Sequence, residues 1–111
     1  MNQHALTVLE FPAALDLVAG YASSSLGAER VRELRPSTLR DDIEREHARV
    51  TAVRNLVEGE SSWRPQQIHD IRSAFSRLRV EGASLSAADL LAVGRFLRSS
   101  RLSLESLRNE K

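Results

Sequence analysis

The chain has 111 residues and a mass of 12.4 kDa, the size of one domain, and a self-contained domain of that length buries roughly two thirds of the surface it exposes when unfolded. It has no cysteine, which excludes a disulfide scaffold, a thiolate zinc site and a cysteine nucleophile, and no stretch reaches the ~18 apolar residues of a membrane span. The net charge of +1 is too small to steer the whole molecule onto nucleic acid.

That near-neutral total conceals an uneven distribution. Residues 1–27 carry only Glu10 and Asp16; residues 28–60 set seven Arg against eight acids; residues 61–111 set eight Arg and Lys111 against five acids. With 41% hydrophobic and 28% charged residues the chain is ordered rather than disordered, and few Gly, Pro and aromatics favour helices over a sandwich or barrel. Met1-Asn2-Gln3-His4 carries no basic signal region. With no cysteine either, a cytoplasmic location is expected.

The elements in chain order are helical. Ala5 to Leu9 forms a short helix docking Leu6 and Leu9. Phe11-Pro12 opens a second, since Pro lacks only an N–H that the first turn leaves unbonded; Leu15, Val18, Ala19 and Ala22 share its apolar face. Ser23-Ser24-Ser25 offers an N-cap to a third helix, with Gly27, Val31 and Leu34 on one face and Gly27 suited to a close backbone approach. It ends before Pro36. Thr38 and Asp41 suggest a capping box for the longest helix, Leu39 to Glu58, closed by Gly59. Leu39, Ile43, His47, Val50, Val53 and Val57 line its stripe, and Ile43, Val50 and Val57 stand seven apart like a coiled-coil seam. Residues 60–67, with Trp63 and Pro65, form the least regular stretch. Asp70 caps a short helix with Ile71, Phe75 and Leu78 on its face. Ser86 and Asp89 form a second capping box, followed by a helix burying Leu90, Val93 and Leu97. Ser99-Ser100 is a place for it to bend, and Leu104 and Leu107 continue the pattern. No terminator precedes Lys111, which reads as a cut within a longer polypeptide. The fold class expected is all-α, an irregular multi-helix bundle.

Chemistry-bearing motifs are few. None of the glycines precedes a Lys-Ser/Thr pair at phosphate-loop spacing, and His4, His47 and His69 have no partners at metal-ligand spacing. No cofactor and no metal is therefore expected in these residues. Asp41, Asp42, Glu44 and Glu46 interleave with Arg40, Arg45 and Arg49, with Glu46–Arg49 and Asp41–Arg45 at helical pairing distance, so they read as a solvated, salt-bridged face. Two groups remain as candidate sites. Arg72, Arg77 and Arg79 surround the short helix and Arg95, Arg98 and Arg101 recur along the last one, a pattern open to phosphate contact as well as to a solvated face. No aromatics interleave with them, so any contact is to backbone and shape. The Ile43–His47–Val50–Val57 seam is a candidate helix-docking or dimer interface.

The residues Leu9-Glu10-Phe11, Tyr21-Ala22-Ser23, Ser25-Leu26-Gly27, Leu34-Arg35-Pro36-Ser37, Asp70-Ile71-Arg72, and Gly82 with Leu85 before a capped helix stand in an order and spacing that resembles the start of the second bacterial MutS subfamily, the paralogue without a mismatch-reading domain. The likeness spans essentially the whole chain and departs from the family at Glu58 to Gln67. It implies the first segment, residues 1–111, of a MutS-like core domain, lying before lever helices, an ATPase that uses ATP and Mg, and a C-terminal Smr nuclease. It implies a homodimeric full-length protein that binds branched DNA and suppresses recombination, or binds ribosomal RNA and splits stalled ribosomes. No catalytic residue of the family maps onto these positions, so this segment is expected to be a non-catalytic scaffold, with no membrane partner. The competing expectation is a stand-alone helical interaction module that dimerises through the seam.

Overall fold

A computed structural model describes residues 2–109. Six helices follow one another, α1 Gln3–Val8, α2 Phe11–Ala19, α3 Ser25–Arg32, α4 Arg40–Glu58, α5 Arg72–Leu78 and α6 Ala87–Asn109, with no strand among the described residues. The all-α, multi-helix expectation holds. The end of the chain at Lys111 lies outside the described residues.

Local chemistry explains most of the boundaries. Asn2 caps α1 by accepting the Ala5 N–H at 2.8 Å, and Ser24 caps α3 by accepting the Gly27 N–H at 3.0 Å. The Ser86–Asp89 box forms reciprocally: the Asp89 N–H donates to Ser86 Oγ at 3.1 Å and the Ser86 N–H to Asp89 Oδ2 at 3.3 Å. The box expected at Thr38 and Asp41 does not form. Leu39 occupies the cap of α4 without a side-chain bond, and the hydroxyl of Ser37 accepts the Leu39 N–H instead. Asp70 acts one residue earlier than expected, accepting the Arg72 N–H at 3.0 Å while Ile71 occupies the cap. Gly59 closes α4 as expected; a Cβ there would lie 2.8 Å from the Asn55 carbonyl oxygen, so only glycine fits without a backbone shift. What lies near Gly27 is the Ser24 hydroxyl and the Ala22 methyl, and not another backbone. The Ser99-Ser100 pair does not interrupt α6.

The helices are loosely assembled. α2 packs on α3 and on α1; among the described residues no other helix pair packs extensively. Among the described residues the buried apolar side chains are confined to Leu6, Ala19, Ile71 and Ala74. The radius of gyration is 18.0 Å, against about 13 Å for a compact domain of this length. The accessible surface is 9163 Å², about 3,000 Å² more than a compact protein of this mass exposes and about half of what the unfolded chain exposes. The expected burial of two thirds is therefore not reached, because the long helices α4 and α6 project their apolar faces outward.

Those faces correct several expected core positions. Leu9, Val18, Leu34, Phe75 and Leu78 are more than half exposed. On α6 the side turned inward is Asp89, Ala92, Val93, Phe96, Ser99, Leu102, Ser103 and Ser106, all half-buried, while Leu90 and Leu97 point to solvent. The irregular stretch 60–71 is anchored at Trp63. Its backbone N–H donates to the Leu56 carbonyl at 3.2 Å, and its indole N–H donates to Ser106 Oγ at 3.0 Å. That ties the C-terminal end of α4 to the C-terminal end of α6.

Candidate functional site

The six arginines divide into two groups by what their guanidinium groups already hold. Arg72 is fully engaged. Its Nη1 and Nη2 donate to the two carboxylate oxygens of Glu29 at 2.8 and 2.9 Å, and its Nε and Nη2 donate to Asp70 at 2.6 to 3.1 Å. This fork joins α3 to the start of α5, two elements 43 residues apart. Arg77 pairs through Nη1 with Asp89 Oδ2 and so links α5 to the first turn of α6. Arg101 lies 3.9 Å from Glu105 on its own helix. Arg79, Arg95 and Arg98 make no hydrogen bond or ion pair among the described residues. Arg95, Arg98 and Arg101 are all exposed; Arg101 stands opposite the half-buried stripe of α6, Arg98 beyond its edge and Arg95 at its margin.

The paired carboxylates titrate accordingly. Hydrogen bonds from the Arg72 side chain and then from its backbone N–H hold Asp70 at about 2, and the Arg72 side chain likewise lowers Glu29. Asp89 is lowered first by Ser86, through its side chain and then its backbone N–H, and further by Arg77. Arg72 itself is raised by Asp70 and Glu29. Because both Arg72-bound carboxylates sit below their unfolded values, their contribution to stability is complete only above about pH 5 and is lost as the pH falls toward 2. The Arg72 side chain is 58% exposed, so the effect is a modest one, screened by solvent. In circular-dichroism melts the melting temperature is expected to be flat near neutral pH and to fall below about pH 5. Arg72→Ala is expected to start lower and fall less.

The α4 seam lies in the open. Val50 is 67% exposed and Ile43 37%; His47 is exposed and Val57 half-buried. A shallow apolar groove runs along Val50, Val53 and Val57, edged by Arg49, Arg54 and Glu58. The charges beside it are satisfied within the helix. Arg40 pairs with Glu44, Arg45 with Asp42, Arg49 with Glu46 and Arg54 with Glu58. The salt-bridged face thus forms with one change of partner, since Arg45 takes Asp42 and not Asp41.

Two features carry no signal in local spacing. One is the Arg72–Glu29 fork. The other is His69, whose Nδ1 is buried without a hydrogen-bond partner beside a cleft lined by Ser23, Ser24 and Asp70. No three His, Asp or Glu side chains stand together at metal-binding distance among the described residues, and no helix there is long and apolar enough to cross a membrane.

Comparison with known proteins finds no matching family model and no matching solved structure. Relatives do match. The chain is 50% identical over all its 111 residues to endonuclease MutS2 of Gemmatimonas aurantiaca, covering 14% of that protein. Over 101 residues it is 33% identical to endonuclease MutS2 of Symbiobacterium thermophilum and 32% identical to that of Acetivibrio thermocellus, covering 13% of each. Every residue of the chain falls within the first of these matches and all three relatives carry one name, so the chain is similar over its whole length to MutS2 proteins and spans about one seventh of the length of these relatives.

Proposed function

We propose that residues 1–111 are an N-terminal scaffold segment of a MutS2-type protein, non-catalytic by themselves. The ATP- and Mg-dependent ATPase and the endonuclease then belong to the rest of a homodimeric, cytoplasmic polypeptide that acts on branched DNA or on ribosomal RNA in stalled ribosomes. The observation that carries this reading is the match over the whole chain to one seventh of a protein named an endonuclease. The open fold supports it. Nineteen large apolar side chains among the described residues are exposed, far more than a monomer with no further packing partners leaves to water.

The nucleic-acid part of the proposal rests on Arg79, Arg95 and Arg98, whose guanidinium groups are uncommitted, with Arg101 beside them; Arg72 and Arg77 act as internal ties. A four-way DNA junction titrated with the chain at rising salt is expected to show binding that weakens log-linearly. The double substitution Arg95→Ala with Arg98→Ala should reduce that slope by about two. Equal slopes for parent and double variant would remove these residues from the interface. A chain that cleaves the junction on its own, with magnesium or manganese supplied, would overturn the non-catalytic reading.

The exposed Val50–Val53–Val57 groove favours a second reading, a helical module that dimerises through α4. A melting temperature that rises with protein concentration supports it, and a monomer by light scattering at high concentration counts against it.

A further inference from the structure

The outward side of α6 carries a second seam, distinct from the α4 stripe and from the Arg95–Arg98 edge. Leu90, Gly94, Leu97, Arg101, Leu104 and Arg108 are spaced alternately four and three apart, which keeps them on one face through three heptads. The three leucines are 59%, 61% and 52% exposed. Two independent observations say what this face is shaped for. The first is Gly94, in the middle of a 23-residue helix. Glycine weakens a helix interior relative to alanine, and here a Cβ would meet nothing within 4 Å. No contact inside the chain explains the absence of a side chain there, whereas a helix crossing closely at that point would. The second is charge. α6 as described carries four arginines against Asp89 and Glu105, and Asp89 is already held by Arg77. Arg108 has no partner among the described residues and Arg101 only the 3.9 Å approach to Glu105. The leucine row is therefore edged, at the positions four residues after Leu97 and Leu104, by two arginines set against the one carboxylate of Glu105 among the described residues.

We infer that this face docks an amphipathic helix with acidic flanks, whose apolar stripe covers Leu90, Leu97 and Leu104. Its backbone passes over Gly94 and its carboxylates meet Arg101 and Arg108. A second copy of α6 does not fit that description. Parallel pairing would set Arg101 against Arg101, and antiparallel pairing would lay Arg101 over the copy's Leu97 and Arg108 over its Leu90, giving neither guanidinium group a further carboxylate. The inference rests on the surface of α6 and not on the family assignment.

The test uses the full 111-residue chain and two synthetic three-heptad helical peptides with the same leucine stripe, one flanked by Glu and one by Lys. Fluorescence anisotropy of labelled peptide reads affinity, and the melting temperature of the chain reads stabilisation by binding. The Glu-flanked peptide is expected to bind about tenfold or more tightly than the Lys-flanked one, with the gap narrowing at high salt, and to raise the melting temperature. Arg101→Glu with Arg108→Glu should reverse the preference. Gly94→Leu should weaken binding although the free chain melts no lower than the parent, which separates blocked docking from misfolding. Equal affinity for both peptides, binding of neither, an unchanged preference in the double variant, or self-association of the chain that Leu97→Glu abolishes would each overturn the inference.

Discussion

Ile71→Ala is expected to cost about 2–5 kcal/mol, the usual range for emptying a buried isoleucine site, and to unfold much of the chain at room temperature. Ile71 is 6% exposed, and with Leu6, Ala19 and Ala74 it makes up the buried apolar set among the described residues. Two of those four are alanines, so Leu6 and Ile71 supply the larger buried side chains. Small domains hold only about 5–15 kcal/mol in reserve, and this one buries about half of its unfolded surface where a self-contained domain buries two thirds. Phe75→Ala is the control. Phe75 lies on the same short helix but is 54% exposed, so its truncation should cost about 1 kcal/mol or less. Urea unfolding followed by Trp63 fluorescence and far-ultraviolet circular dichroism would measure both. Equal costs for the two variants would show that α5 packs through the Phe75 face.

The second large effect concerns what covers α4 and α6. If the outer faces are packing surfaces for the remainder of a MutS2-type polypeptide, their backbone amides should exchange quickly in the 111-residue chain and slowly in the longer protein. The expected gain in protection is about a hundredfold or more, equivalent to roughly 3 kcal/mol of local stability. It should be largest at Val50 and Val53 on α4 and at Leu97 on α6, which are at least half exposed here. Amides of α2 and α3 should change least, because these two helices already pack on each other. Equal exchange in both contexts would mean that the exposed faces stay exposed.

Much of this architecture was legible in the residues, and the misreadings share one cause. Caps and stops are local, so Ser24, Ser86 with Asp89, and Gly59 mark their helix ends by chemistry within a turn. Which face of a helix turns inward is not local. α6 carries two stripes at helical spacing, one through Ala92, Phe96, Ser99, Ser103 and Ser106 and one through Leu90, Leu97 and Leu104. Hydrophobic periodicity points to the leucine row. The structure turns the serine-bearing stripe inward, because Ser106 accepts the Trp63 indole N–H and Asp89 holds Arg77. The leucine row stays exposed, as the proposed scaffold segment would leave it. The same reasoning separates the arginines. Spacing groups Arg72 with Arg77 and Arg79, but only the folded chain brings Glu29 to Arg72 and leaves Arg79 uncommitted. The family resemblance, read from short ordered motifs, is matched by the relatives along the whole chain.

These residues form an open helical framework and not a closed globule. Small-angle X-ray scattering of the monomeric chain at neutral pH tests it most directly. The expected radius of gyration is near 18.0 Å, with α4 and α6 held apart except where Trp63 joins their C-terminal ends. A value near the ~13 Å of a compact domain of this length would show that the exposed leucines and valines close on one another, and would contradict the account.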